Sequence, residues 1–243
     1  MKNISLLIPM NGIGSRFANY SSMPKPLIKV KHKEMLFWLL DNLNLNIFAK
    51  VIIPYNAILD RYNFKNLITQ RYDNIDFHLI SLKERTVGAA ETLKIALCEL
   101  PEEELDARLM IMDCDTFYFE DVIAAYNDRG EDNAIFYFVD YKKEPIFSYI
   151  KIENNFITEI KEKEKISNFA NCGIFCVESG HTLKKYCSML LLKKYNEGKE
   201  FYTSGVFDLM MKDNLPIAAI NVKNFKCVGT PKQVGEFLNE ERI

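Results

Sequence analysis

In "ISLLIPMNGIGSRFANYSSMPKPLIKV" a short greasy run leads into Gly12, Gly14, Ser15 and Arg16, and Lys25 follows between Pro24 and Pro26. These residue types at this spacing suit a triphosphate. Two glycines let backbone N–H groups approach phosphate oxygens with no Cβ in the way. Arg16 offers a planar fork of donors and Lys25 a compact point charge. The flanking prolines stiffen the chain, so the ammonium of Lys25 is held in place. A plain strand-to-loop turn with surface cations is the alternative. Two other phosphate loops fail on spacing. A dinucleotide clamp needs a third glycine where Phe17 stands, and an acid about 20 residues on, where the chain reads "KVKHKE". No GxxxxGK[ST] string occurs.

Asp113 and Asp115 close the apolar run "RLMIMDCD". Open α/β sheets place their ligands at such strand ends. Magnesium is satisfied by one or two carboxylates together with substrate phosphates and water. A capping or turn role is the alternative for both aspartates. In "TVGAAETL", Gly88 and Ala89 would let the backbone reach a pyrimidine edge, with Asn11 or Thr86 nearby. Helix N-terminal packing explains the same residues. Lys163, in "IKEKEK", is either a phosphate ligand or part of a solvated charge run.

These residues need a scaffold, and the hydrophobic pattern supplies one. "ISLLI" is a short continuous apolar run of the kind found in buried parallel strands. "EMLFWLLDNL" places Met35, Leu36, Leu39, Leu40 and Leu43 on one helical face. Strands are expected at "AKVIIPY", "DFHLISL" and "RLMIMD", a polar helix over 57–72, and a helix at "GAAETLKIALCEL". After Asp115 come four strands, "NAIFYFVD", "SYIKIE", "NFITEIKEK" and "NFANCGIFCVE", with a hairpin turn at Asn154-Asn155. Helices are expected at "SGHTLKKYCSMLLLKKY", "YTSGVFDLMMKDN" and "PKQVGEFLNEE", with strand "PIAAINV" between the last two. The expected class is α/β, a Rossmann-like domain over 1–243. Its mixed sheet is mainly parallel, flanked by helices, with a small antiparallel region added.

Composition narrows the partners. The 243 residues carry a net charge of -2 and 48% apolar residues. Such balance argues against a nucleic-acid or membrane-surface binder, which usually needs a basic excess. No small-residue cleavage site follows the first strand, so no signal peptide is expected. Six cysteines with no CxxC pair, and only three histidines, argue against zinc. Most of these thiols lie in apolar runs and read as reduced core residues of a cytoplasmic protein.

The string "GIGSRF…PKPLIKV" resembles the signature of the sugar-phosphate nucleotidylyltransferase superfamily, whose members carry G-x-G-[ST]-R and then P-K. The "IPMNGIGSRF" version is most similar to small bacterial cytidylyltransferases that make surface-polysaccharide precursors, of the phosphoglutamine or phosphocholine type. "TVGAAETL" resembles the base-contacting stretch, "MDCDTF" the metal-binding aspartate, "IKEKE" the Glu-Lys motif, "NCGIFCV" the N-x-G-I-[YF] strand and "VGTPKQVGEF" the terminal GTP motif.

The resemblance implies a nucleotidyltransferase that uses magnesium. Arg16, Lys25 and Lys163 would be catalytic, and Met10, Asn11, Gly12, Gly14, Ser15, Arg16, Thr86, Gly88, Ala89 and Asp113 would bind nucleotide. Lys163, Glu200 and Tyr202 would hold the acceptor, and Asp115 and Asp113 the metal. The implied donor is a nucleoside triphosphate, with CTP favoured. The implied acceptor is a phosphorylated small molecule: phosphoglutamine, then phosphocholine, then a sugar 1-phosphate. A homodimer is allowed. One residue departs from the pattern, because Cys227 stands where a second metal aspartate is usual, and a neutral thiol is a poor magnesium ligand. Two rivals follow. "DCD" is also the Asp-x-Asp of metal-dependent glycosyltransferases, which do not need the glycine–arginine–lysine loop. Cys227 also motivates a nucleotide-sensing protein without turnover.

Overall fold

The computed structural model describes residues 4–194 and 200–240. The elements run β1 (Ile4–Leu7), β2 (Lys29–Val30), β3 (Lys33–Glu34), α1 (Met35–Asp41), β4 (Val51–Asn56), α2 (Phe64–Arg71), β5 (Phe77–Leu82), α3 (Ala89–Cys98) and β6 (Arg108–Met112). They continue β7 (Thr116–Tyr118), α4 (Val122–Arg129), β8 (Ala134–Val139), β9 (Ser148–Glu153), β10 (Phe156–Glu162), β11 (Phe169–Val177), α5 (Gly180–Lys194), α6 (Thr203–Lys212), β12 (Ala218–Asn221), β13 (Phe225–Cys227) and α7 (Pro231–Asn239).

A nine-stranded sheet runs β5-β4-β1-β6-β11-β8-β12-β10-β9. Its first four strands are parallel, as their βαβ connections require. β11 then reverses direction against β6, and β10 pairs antiparallel with β9. The antiparallel region is thus part of the same sheet. The β9–β10 turn uses Asn154 and Asn155, both at positive φ, as a tight hairpin demands.

Alternation along the strands fills both faces. Leu6, Ile8, Val51, Ile53, Met110 and Met112 pack with α1, α2 and α4, while Leu7, Ile52, Leu109 and Ile111 pack with α3, α5 and α6. A third cluster of Phe17, Ile28, Val30, Met35, Phe117, Val228, Val234 and Phe237 ties the glycine-rich loop to β7 and α7. Trp38 stacks on Phe117 at 5.6 Å and anchors this cluster through its indole N–H, which donates to Val30 O at 2.9 Å.

Two local expectations change. The helix over 57–72 is broken: Ala57–Tyr62 is a tighter 3-10 segment, Asn63 turns left-handed at φ 55°, and only Phe64–Arg71 is α-helical. Leu59, Phe64 and Ile68 still reach the core, so burial rather than a continuous helical ladder sets this segment. Helix α4 is an element the periodicity does not reveal. Its signals are local: the Asp121 side chain accepts from the N–H groups of Ile123 and Ala124, and Gly130 closes it at φ 82°.

Candidate active site

Asp113 and Asp115 follow β6 directly, at the carboxyl end of the parallel half of the sheet. Both line a cleft of about 190 Å³ with Arg16, Glu162, Tyr202, Ser204 and Cys227. The Asp113 N–H donates to Gly173 O at 3.0 Å, which fixes the turn. Glycines lie close to both carboxylates. A Cβ on Gly173 would come within 3.0 Å of Asp113 Oδ2, and one on Gly229 within 2.8 Å of Asp115 Oδ2. The surrounding protein, then Asp115, with a further contribution from Glu162, push the Asp113 carboxyl above the usual carboxylate range against the pull of Lys25. Its carboxylate opens to the cleft, so water screens part of that shift.

Among the described residues no group of three or more His, Cys, Asp or Glu side chains could hold a metal ion. The donor set is two carboxylates, with a cleft beside them for phosphate and water, and that fits magnesium better than a closed metal cage. Cys227 sits on β13 opposite Thr116 and lines the same cleft. Burial, then Asp115, push its thiol up to about 12. It is therefore a neutral group among the three acids of the cleft, Asp113, Asp115 and Glu162.

Lys25 is paired with Asp115. Burial would lower its pKa, but Asp115 more than offsets this and the ammonium stays charged. The loop is built around this pair. Gly14 is left-handed at φ 66°, and a Cβ there would come within 2.9 Å of the Lys25 Cβ. Pro24 caps a short 3-10 turn, Lys25–Leu27, that begins at Lys25 itself and holds Pro26 within it. Gly12, Gly14 and Met10 surround a smaller 160 Å³ hollow beside Lys25. Ser15 and Arg16 are exposed, and Arg16 reaches the carboxylate cleft.

A larger cleft of about 1120 Å³ lies across Ala89, which lines both. Its walls include Asn11, Gly12, Thr86, Gly88, Glu200 and Phe201. Asn11 is 3% exposed, and its amide is committed to protein: Nδ2 donates to Glu84 O at 3.0 Å and to Thr86 Oγ1 at 3.2 Å. It therefore ties the glycine loop to the 84–88 loop. That second loop is in turn bonded to the chain before α6, through Phe201 N to Val87 O at 3.0 Å and Ala90 N to Phe201 O at 3.0 Å.

On the acceptor side the structure brings Lys163, Tyr202 and Glu200 together. Lys163 Nζ donates to Tyr202 Oη at 2.6 Å, and Tyr202 donates to Glu200 Oε2 at 2.6 Å. Tyr202 lines the smaller cleft and Glu200 the larger, whereas Lys163 lines neither. Its neighbour Glu162 does, and accepts from Ser148 at 2.5 Å and Ser204 at 2.9 Å. Sequence reasoning passed over Glu162. The available signal was strand alternation: Glu162 stands two residues past buried Ile160 and so takes the same face of β10, at the strand's end where the core gives way to the cleft.

No family model matches the chain, and no curated protein matches its sequence. Solved structures do match in fold. A nucleoside-diphosphate-sugar pyrophosphorylase from Vibrio cholerae superposes with TM-score 0.81 at 18% identity, covering 97% of this chain and 100% of that one. The inositol-1-phosphate CTP transferase of T. maritima gives 0.73 at 11%, covering 100% and 99%. A UDP-glucose pyrophosphorylase solved with UDP-glucose gives 0.77 at 14%, covering 98% of each chain. The chain therefore has the fold of the nucleotidyltransferases, over its whole length. No helix among the described residues is long and apolar enough to cross a membrane.

Proposed function

We propose that this protein is a magnesium-dependent nucleotidyltransferase. It moves a nucleoside monophosphate from a nucleoside triphosphate to a phosphorylated small molecule and releases pyrophosphate. One observation carries the reading: a large cleft and a small one meet at Ala89, with Asp113, Asp115 and Arg16 on the small cleft's wall. Two substrates can thus be held on either side of one cationic and carboxylate centre.

An oxygen of the acceptor phosphate attacks the α-phosphorus in line, the bond from that phosphorus to the bridging oxygen breaks, and pyrophosphate leaves with the electron pair. The protein's part is positioning and charge. Arg16 and the glycine-loop N–H groups hold the outer phosphates. Lys25 moves from Asp115 to the triphosphate and frees that carboxylate. Asp115 and Asp113 would hold the metal, which when bound supplies Lewis-acid neutralisation of phosphate charge. Tyr202, oriented by Lys163 and Glu200, steers the acceptor.

CTP is the favoured donor. The favoured acceptor is phosphoglutamine, then phosphocholine, then a sugar 1-phosphate, for a capsule or surface-polysaccharide precursor made in the cytoplasm. The acidic wall of the small cleft supports an acceptor bearing an ammonium. The test is a screen of each nucleoside triphosphate, with magnesium, against phosphorylated acceptors. Pyrophosphate release with CTP and phosphoglutamine is expected to exceed every other pair. Release of nucleoside diphosphate from sugar nucleotides would favour a glycosyltransferase instead, and binding without turnover a sensor.

A further inference from the structure

The nine-stranded sheet is open at one end. At the other end β9 folds back onto β11, so Ile150 is paired on both sides, with Ile160 and with Phe169. β5 is paired with β4 alone. The register fixes which of its backbone groups are left over. Val51 lies opposite Phe77, and Val51 N donates to Asp76 O at 2.8 Å. The even-numbered residues of β5 therefore bond to β4, and the N–H and C=O of Phe77, Leu79 and Ser81 point outward. Among the described residues those outward groups have no backbone partner. Natural edge strands carry a lysine, a proline or a bulge against further pairing. β5 has none of these: it reads Phe-His-Leu-Ile-Ser-Leu and follows β4 without a register shift. All of β5 is half-buried, whereas β4 beside it is buried along nearly its whole length.

We propose that this edge is an interface between two copies of the chain, with β5 pairing antiparallel to β5 of the second copy about a two-fold axis at Leu79. Charge selects this occupant. Asp73 and Asp76 precede the strand, Lys83 and Arg85 follow it, and all four are exposed. Asp76 has one long contact, 3.8 Å to Lys50. A two-fold antiparallel pair lays the start of one strand beside the end of the other, so acids meet bases at both ends of the seam. Charge also selects the register. With Leu79 opposite Leu79 of the second copy, Phe77 faces Ser81 and every outward N–H and C=O finds a partner. Asp73 then comes into line with Arg85, and Glu84 with the neutral Asn74. Sliding the partner by two residues sets Asp76 against Glu84 in one direction and Arg71 against Arg85 in the other. Either slip also leaves an outward residue of the strand facing chain beyond β5. In the chosen register Leu79 meets its own copy on one face of the sheet, and His78 lies opposite Ile80 on the other. Leu79 and Ile80 border the two main apolar clusters, so both cores continue across the seam.

The test is the mass of the full chain in solution, by sedimentation velocity across ~1–100 μM. A dimer is expected at the upper end of that range. Two double variants, Asp73→Lys/Asp76→Lys and Lys83→Glu/Arg85→Glu, change exposed residues only and are expected to keep the wild-type circular dichroism. Each sets like charges against one another across the seam and should raise the dissociation constant at least ~10-fold. Mixed in equal amounts the two should dimerise again, because each then meets the opposite charge at both ends. Hydrogen exchange at the amides of Phe77, Leu79 and Ser81 should be at least ~10-fold slower in the dimer than in either variant alone. A wild type that stays monomeric over the whole range would overturn the proposal. So would a dimer that neither double variant weakens, a dimer whose Phe77, Leu79 and Ser81 amides exchange as freely as those of exposed loops, or two folded, monomeric variants whose mixture stays monomeric.

Discussion

Replacing Gly88 with alanine should damage both stability and substrate binding, because this residue sits where two loops touch backbone to backbone. Its φ of 153° and ψ of 178° lie in a region that only glycine occupies freely, and forcing a side chain there costs ~1–3 kcal/mol. The new Cβ would stand 2.4 Å from Phe201 O and 2.5 Å from Phe201 N. Neither atom can step aside like the end of a flexible side chain, so the chain before α6 must shift. That shift breaks the Phe201 N to Val87 O and Ala90 N to Phe201 O bonds, worth ~1 kcal/mol each. The total is about 3–5 kcal/mol, or roughly a 10 °C fall in melting temperature for a chain of this size. Urea unfolding followed by circular dichroism measures the first figure. The same shift displaces Glu200 and Tyr202, so KM should rise for both the nucleotide and the acceptor. A loss under ~1 kcal/mol with unchanged KM values would show that the two loops do not depend on this contact.

Lys25→Ala and Arg16→Ala should each lower turnover at least ~100-fold with the fold retained, read by pyrophosphate release. Near-normal release in both would sink the triphosphate assignment. EDTA should abolish activity and magnesium restore it. Asp115→Asn should be nearly inactive, and Cys227→Asp neutral or helpful. Asp113→Asn should impair activity yet stabilise the protein. Its carboxyl is raised on folding, so the folded state holds the proton more tightly and stability falls as pH climbs from the unfolded carboxylate value through the raised one. The variant should therefore gain more in melting temperature at pH 8 than at pH 4, and an equal gain at both would show that the shift is absent. Glu162→Gln should raise KM for the acceptor at least ~10-fold while leaving nucleotide KM within ~3-fold, which initial-rate kinetics would resolve.

Most strands of the main sheet, its parallel half and the glycine–arginine–lysine loop were legible from the sequence because each depends on neighbours along the chain. Apolar runs such as "ISLLI" must be buried on both faces, and two prolines restrict Lys25 wherever the loop goes. Asp113 and Asp115 could be placed at a strand end for the same reason. What the sequence could not decide was which groups meet. The pairing of Lys25 with Asp115 joins residues 90 positions apart, and only the closing of β1 against β6 brings them together. Asn11 read as a group for the base. Tertiary contact with Glu84, Thr86 and Asn56 instead commits its amide to protein, since a buried amide must find partners. Lys163 and Glu162 are adjacent in a charge run that alternates sign. The wall formed by Ser148 and Ser204 lets Glu162 alone into the small cleft, while Lys163 turns to Tyr202. Periodicity fixes which face a residue takes, but the partner across a cleft is set by packing of distant segments, which no local pattern encodes.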